Sequence, residues 1–336
     1  MSTIGQPSSS AKDRIVSVTP SAAYRVGWLS VLGAIPIAVS VLLASGMKVV
    51  VAGFLPLMAT TIFLLATHIF YRHLRPDPRL QLCSGLLAMM IAASLLAAVI
   101  SHGGLRLRYP WIDGSLAAID GFMGIDTPAL ALALALDPLW GKLLNIAYVS
   151  SFPAAFLTAL ALGARDKDQR AWELAAGFSA CIIGASAFAV FFPALGNMVY
   201  HGIDMVEGLP SGAGNYHLSA VAYFRDGQNA ALDLAQFSGI VTMPSFHMVM
   251  ALLVPHALRG TGWAGWSATL WSVLITISTI GIGGHYIVDL IAGAGLWACV
   301  AWLCLERRGS SIARIRTEKV RSVFDAGMVP NASLQE

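Results

Sequence analysis

Residues 81–101, QLCSGLLAMMIAASLLAAVIS, contain no charged side chain, while Arg75 and Arg79 stand before them and Arg106 and Arg108 after. A helix rising about 1.5 Å per residue needs about 20 apolar residues to cross the roughly 30 Å hydrocarbon layer of a bilayer. This stretch has that length, and its arginines fall where polar head groups would be. Working outward, comparable apolar runs occur at 26–46, 49–70, 142–162, 172–195, 241–258, 263–282 and 284–305. The pattern predicts an all-α, polytopic membrane helix bundle with about eight transmembrane helices. Composition agrees: the 336 residues are 57% hydrophobic and 12% charged, against roughly 25% charged in soluble domains.

Basic residues set the expected orientation, because loops on the cytoplasmic side carry the excess of lysine and arginine. With the N-terminus inside, all but five of the 21 basic residues fall on the cytoplasmic face. The five are Lys48, Arg106, Arg108, Lys142 and Arg225. Both termini are then cytoplasmic, and the long connections 102–141 and 196–240 face outward, as for a plasma or inner membrane protein. The division expected is a disordered tail over 1–23, N-terminal transmembrane helices over 24–101, a catalytic membrane domain over 102–305 and a basic tail over 306–336. The first residues lack the apolar run and cleavage site of a secretory signal. Cys83, Cys181, Cys299 and Cys304 lie within apolar runs with no Cys-x-x-Cys pair and no histidine at metal-ligand spacing, and read as small membrane residues. Nothing in the charge pattern calls for nucleic acid.

Ionisable residues at membrane helices are costly and need a reason. Two clusters carry them: Thr242-Met243-Pro244-Ser245-Phe246-His247, opening the sixth apolar run, and Gly283-Gly284-His285-Tyr286-Ile287-Val288-Asp289, opening the eighth. With one run between them returning across the bilayer, both clusters lie at the same outer face. His285 and Asp289, four apart, share a helix face, so the carboxylate can accept the imidazole N–H, fix the tautomer and raise the ring's basicity. Such a ring is a competent nucleophile towards phosphorus. His247 is then the acid for the leaving alkoxide and afterwards the base for water or an acceptor alcohol. Ser245, the amides opening the sixth helix, and Gly284 are the expected phosphate contacts. Arg225 is the first choice of cationic partner and Lys142 the second.

Other polar residues receive plainer readings. His68, His73, His102, His201, His217 and His256 are expected to find hydrogen-bond partners on neighbouring helices. Asp113, Asp120 and Asp126 read as helix caps or solvated groups. Arg106 and Arg108 suit lipid head groups, Trp111, Trp140, Trp172 and Trp302 suit interfacial anchoring, and Gly177, Gly184, Gly293 and Gly295 suit close helix packing.

Pro244-Ser245-Phe246-His247 followed by His285-Tyr286-x-x-Asp289 resembles the second and third motifs of the type 2 phosphatidic acid phosphatase superfamily. Within it, the chain is most similar to the inositolphosphotransferase branch, which includes inositol phosphorylceramide synthase. Phe192-Pro193-Ala194-Leu195-Gly196 and Phe224-Arg225-Asp226-Gly227 also look similar to bacterial members, so the likeness covers roughly 110–305. The resemblance implies a six-helix catalytic core, a triad at His247, His285 and Asp289, a covalent phosphohistidine and no metal cofactor. The chain departs from the phosphatase branch. It lacks the first motif with its Lys and Arg-Pro, and has Ser278-Thr279 where that branch has Ser-Arg.

The expected function is therefore a lipid phosphotransferase or lipid phosphate phosphatase. Its substrate would be a lipid phosphate or phospholipid, and its acceptor water or a lipid or polyol alcohol. The rival reading is a transporter or channel using the same His/Asp residues. Their position at helix ends opposes it, since a transporter needs polar groups near the bilayer midplane.

Overall fold

The computed structural model describes residues 21–135, 137–203, 206–228 and 230–304. The basic tail expected over 306–336 and nearly all of the tail expected over 1–23 lie outside them.

Spanning helices begin where the sequence supplies caps. Asp77 accepts the amides of Arg79 and Leu80 and is followed by Pro78, the first residue of α3 (Pro78–Leu105). Asp137 accepts from Leu139 ahead of Pro138, which opens α6 (Pro138–Ala164). An aspartate satisfies otherwise orphaned helix amides, and proline at the first position has no amide to satisfy. Ser21 caps α1 (Ala22–Ser45) in the same way. With α2 (Val51–His73), α7 (Asp168–Phe191), α11 (Trp263–Gly281) and α12 (Ile287–Cys304), seven helices among the described residues are long and apolar enough to cross a membrane.

The remaining expected span, the sixth apolar run at 241–258, forms a helix shorter than the run itself. Helix α10 covers Phe246–Ala257, and 241–245 enter it as non-helical chain. The reason is local: Pro244 disfavours a helical residue before it, and Ser245 caps the helix through its hydroxyl. Helix α7 likewise stops at Phe191, just before Phe192-Pro193.

Between α3 and α6 the chain forms α4 (Asp113–Phe122) and α5 (Thr127–Ala133), bent by 83° at a short break in the manner of a broken span or re-entrant loop. The long connection before α10 holds two short helices, α8 (Asn197–Tyr200) and α9 (Leu218–Asp226). It also reaches back to the N-terminal helices, since Ala231–Leu232 pairs in parallel with Lys48–Val49 between α1 and α2.

Helix α7 is the centre of the bundle and packs on α1, α3, α6, α10 and α12. Buried residues make up 61% of its span against 11% for α2, which therefore has most of its surface free for lipid. The main apolar core joins α1, α3, α6, α7, α10 and α12 through residues such as Met89, Ala176, Phe178 and Leu253. Trp172 belongs to this core, its ring edge-on to Tyr24 at 4.8 Å, and is not an interfacial anchor.

Candidate active site

Two helix starts form the site. Ser245 accepts the Met248 amide at 3.4 Å, which places His247 in the first turn of α10. The His247 ring stacks on Tyr148 of α6, with centroids 3.8 Å apart and planes 16° from parallel. Among the described residues, no group hydrogen-bonds that ring.

The second start is the turn ahead of α12. Gly284 lies at φ +66°, and a Cβ there would be 3.1 Å from the Gly214 backbone, so both conformation and space call for glycine. Its carbonyl accepts the Asn197 amide at 2.7 Å. The turn delivers His285 and Asp289, which are 3% and 0% exposed. His285 Nδ1 stands 3.3 Å from Asp289 Oδ2, and the Tyr286 amide donates to the same oxygen at 3.0 Å. With Nδ1–H held by the carboxylate, Nε2 keeps its lone pair; it lies 3.5 Å from Ser245 Oγ.

The backbone locks the two starts together, since the Ser245 amide donates to the Asp289 carbonyl at 3.0 Å. Gly293 permits this approach, because a Cβ there would stand 2.3 Å from the Ser245 carbonyl oxygen. Gly177 does the same against Leu253, whereas Gly184 makes only ordinary contact and Gly295 has nothing within 4 Å. Forcing a methyl into such a contact costs about 1–3 kcal/mol. Gly293→Ala is therefore expected to lower both the thermal transition and turnover; full activity would mean that α12 can shift without disturbing the site.

Two rings that the sequence places 38 residues apart thus meet with centroids 6.4 Å apart and planes at 61°. This is close enough for a single phosphoryl group to contact both. Ser245, His247, Gly284, His285 and Asp289 are brought together. Arg225 lies in the last turn of α9, its guanidinium 4.1 Å from the Trp111 ring and Nη2 donating to the Tyr109 carbonyl at 2.9 Å. Arg106 and Arg108 bind the backbone carbonyl of Arg225, so the three arginines form one cluster. Lys142 is exposed on the first turn of α6.

Asp113 and Asp120 correct the sequence reading, for both are 2% exposed and hold the site in place. Asp120 accepts the amides of Ile287 and Val288 at 2.9 and 3.0 Å, and the Thr127 hydroxyl as well, so it caps α12 from another helix. Asp113 accepts from Leu195 and Gly196 at 2.9 and 2.8 Å and from the Tyr286 hydroxyl at 3.2 Å. The Tyr286 phenol is the donor in this contact, since an ionised carboxylate can only accept. His217 closes the network by donating from Nε2 to the Leu195 carbonyl at 2.7 Å. The sequence did carry a signal: Asp113 and Asp120 are seven apart, which on α4 places them on one face with buried Leu116 between. Of the three aspartates, Asp126 is the one that caps its own helix, accepting from Ala129.

Asp120→Ala would leave two buried amides unpaired at about 1–3 kcal/mol each. It is expected to cut kcat by displacing His285 and Asp289, with Asp120→Asn, which keeps one acceptor oxygen, recovering part of the loss. Equal activity of the alanine variant and wild type would show that α12 holds its start unaided.

A cavity of about 330 Å³ opens beside His247, walled by α3, α6, α7 and the segment 237–241.

A family model, the PAP2 superfamily, matches residues 114–303, more than half of the chain. The matched span contains both histidines, Asp289 and Asp120, and leaves α1 to α3 outside it. No curated protein and no solved structure matches the chain. With a match of that extent and seven bilayer-length helices, the chain belongs to the PAP2 superfamily and is a phosphatase-type enzyme of the membrane.

Proposed function

We propose that this enzyme acts on a lipid phosphate or phospholipid through a phosphohistidine at His285, and passes the phosphoryl group, bare or carrying its head group, to water or an alcohol. The observation that carries the reading is the meeting of the His247 and His285 rings at 6.4 Å, with Asp289 behind His285. In the first displacement the His285 Nε2 lone pair forms the N–P bond as the P–O bond to the leaving alcohol breaks, and His247 gives that oxygen its proton. In the second, the acceptor oxygen forms the new P–O bond, its proton passes to His247, and the N–P electron pair returns to His285. Asp289 holds Nδ1–H throughout and stabilises the cationic ring.

The equatorial phosphate oxygens are proposed to face Ser245, Gly284 and the amides opening α10, where unpaired N–H groups and the helix dipole favour an anion. Arg225 is the proposed cationic contact for the incoming phosphate, since its buried Nη1 has no partner among the described residues. Lys142 is a second. Transfer to an alcohol, as in the inositolphosphotransferases, is favoured over hydrolysis by the likeness of the motifs. We place the site at the extracytoplasmic face with both termini cytoplasmic, on the basic-residue bias. The catalytic membrane domain is assigned to 102–305 and the N-terminal transmembrane helices to 24–101.

The test is incubation of the purified protein with candidate phospholipids, with and without inositol, ceramide or other alcohols, followed by mass spectrometry of the products. Transferred head group is expected in the presence of the right alcohol. Free phosphate alone under all conditions would reduce the enzyme to a phosphatase, and no phosphorus-containing product would overturn the reading.

A further inference from the structure

The cavity beside His247 contains more hydrogen-bonding capacity than the protein uses. Tyr148 and Tyr216 meet hydroxyl to hydroxyl at 2.5 Å, so one of the two O–H protons is spent between them and the other is left over. Ser238 Oγ is buried without a partner among the described residues. Ser186 of α7, 3% exposed, contributes a further hydroxyl to the lining. The His247 ring, whose nitrogens have no hydrogen-bond partner among the described residues, borders the same space. Buried polar groups left unpaired cost about 1–3 kcal/mol each, so this arrangement suits a ligand that brings donors and acceptors of its own.

The charge of the lining selects among such ligands. It contains no aspartate, glutamate, lysine or arginine. A cationic or anionic ligand would lose its hydration there without an opposite charge to replace it. His102 is committed, donating from Nδ1 to the Ala98 carbonyl at 2.8 Å and stacking on Phe237. Phe152, Ile182 and Phe246 supply apolar surface between the hydroxyls. The volume, about 330 Å³, lies at the small end of ligand pockets, roughly 300–1,000 Å³. That is room for a ring polyol or the hydroxyl-bearing part of a lipid alcohol, and too little for a two-chain lipid.

We infer that this cavity is the acceptor site and that it takes an uncharged, hydroxyl-bearing alcohol, with the reacting hydroxyl against His247. The inference rests on the phosphohistidine reading above. One wall comes from α3, through Ser94, Ala98 and Ser101, and so from outside the span matched by the superfamily. Acceptor choice is thereby a property of this chain's own N-terminal helices.

The experiment measures, within one reaction, the ratio of phosphoryl-alcohol product to free phosphate, using the full chain and nitrophenyl phosphate as donor. Because both products come from one phosphoenzyme, the ratio does not depend on how that species formed. With myo-inositol or glycerol as a free polyol, and ceramide or diacylglycerol in mixed micelles as a lipid alcohol, the ratio should rise and saturate for one of the two sources. Choline, an alcohol of similar size with a fixed positive charge, should leave it near the water-only value. Filling the cavity by Ser186→Leu or Ser94→Leu should lower the ratio about tenfold or more. The double change Ser186→Ala and Ser238→Ala should lower it with little change in volume. A ratio that climbs linearly without saturation in the wild type, equal use of choline, or unchanged ratios in both filled variants would overturn the inference. If nitrophenyl phosphate is turned over without a phosphoenzyme, the underlying reading fails, and this one with it. A phosphoenzyme with unaltered ratios removes the acceptor site alone.

Discussion

His285→Ala is expected to reduce turnover of every substrate by roughly 10⁴-fold or more, the scale seen when a nucleophile acting as part of a unit is deleted. The loss follows from the geometry. His285 is the ring whose Nδ1 is held by a buried carboxylate at 3.3 Å, leaving Nε2 as the free lone pair near the start of α10. No other described imidazole has a carboxylate behind it and the second histidine in front. The substitution removes a buried ring from a turn already fixed by Asp120 and by the Asn197 to Gly284 hydrogen bond, so the variant should remain folded. Its thermal transition and elution volume should stay near those of the wild type. Retained activity in a folded His285→Ala protein would remove the nucleophile.

His247→Ala is expected to separate substrates by leaving group. General acid catalysis contributes about 10²–10⁴-fold when the departing oxygen needs a proton. An alkyl phosphate should lose that factor, whereas a nitrophenyl phosphate, whose leaving group departs as a stable anion, should lose far less in the first step. The second step still needs a base, so the variant should accumulate phosphoenzyme with the activated substrate. The structure supports the assignment because Tyr148 fixes the His247 ring by stacking while no hydrogen bond engages its nitrogens among the described residues. The ring is positioned and its proton chemistry is free. A uniform loss across leaving groups would place His247 in binding, with no part in proton transfer.

The parts of this site visible in the sequence are those set by local rules. Pro244 and Ser245 specify the start of α10, the four-residue spacing specifies the His285–Asp289 contact, and three apolar runs in succession specify that both starts share one end of the bundle. The spacing of Asp113 and Asp120 put them on one face of α4, but the groups they bind were not visible in this way. Their partners, at Leu195, Gly196, Tyr286, Ile287 and Val288, lie far along the chain. A carboxyl that caps a distant helix has the same local sequence as one that caps its own or meets water. The pairing of Lys48–Val49 with Ala231–Leu232 is too short to leave a periodic pattern. Trp111 illustrates the same limit, since its role as the face beneath Arg225 depends on a contact between remote segments.

In the proposed mechanism two displacements occur at one phosphorus, the first by His285 and the second by an acceptor activated at His247. The stereochemical course at that phosphorus counts these displacements. A donor made chiral by oxygen isotopes is turned over with an alcohol acceptor, and the configuration of the product is read. Two in-line displacements invert the centre twice, so net retention is expected. Net inversion would mean a single direct transfer from donor to acceptor, and would contradict the phosphohistidine at His285.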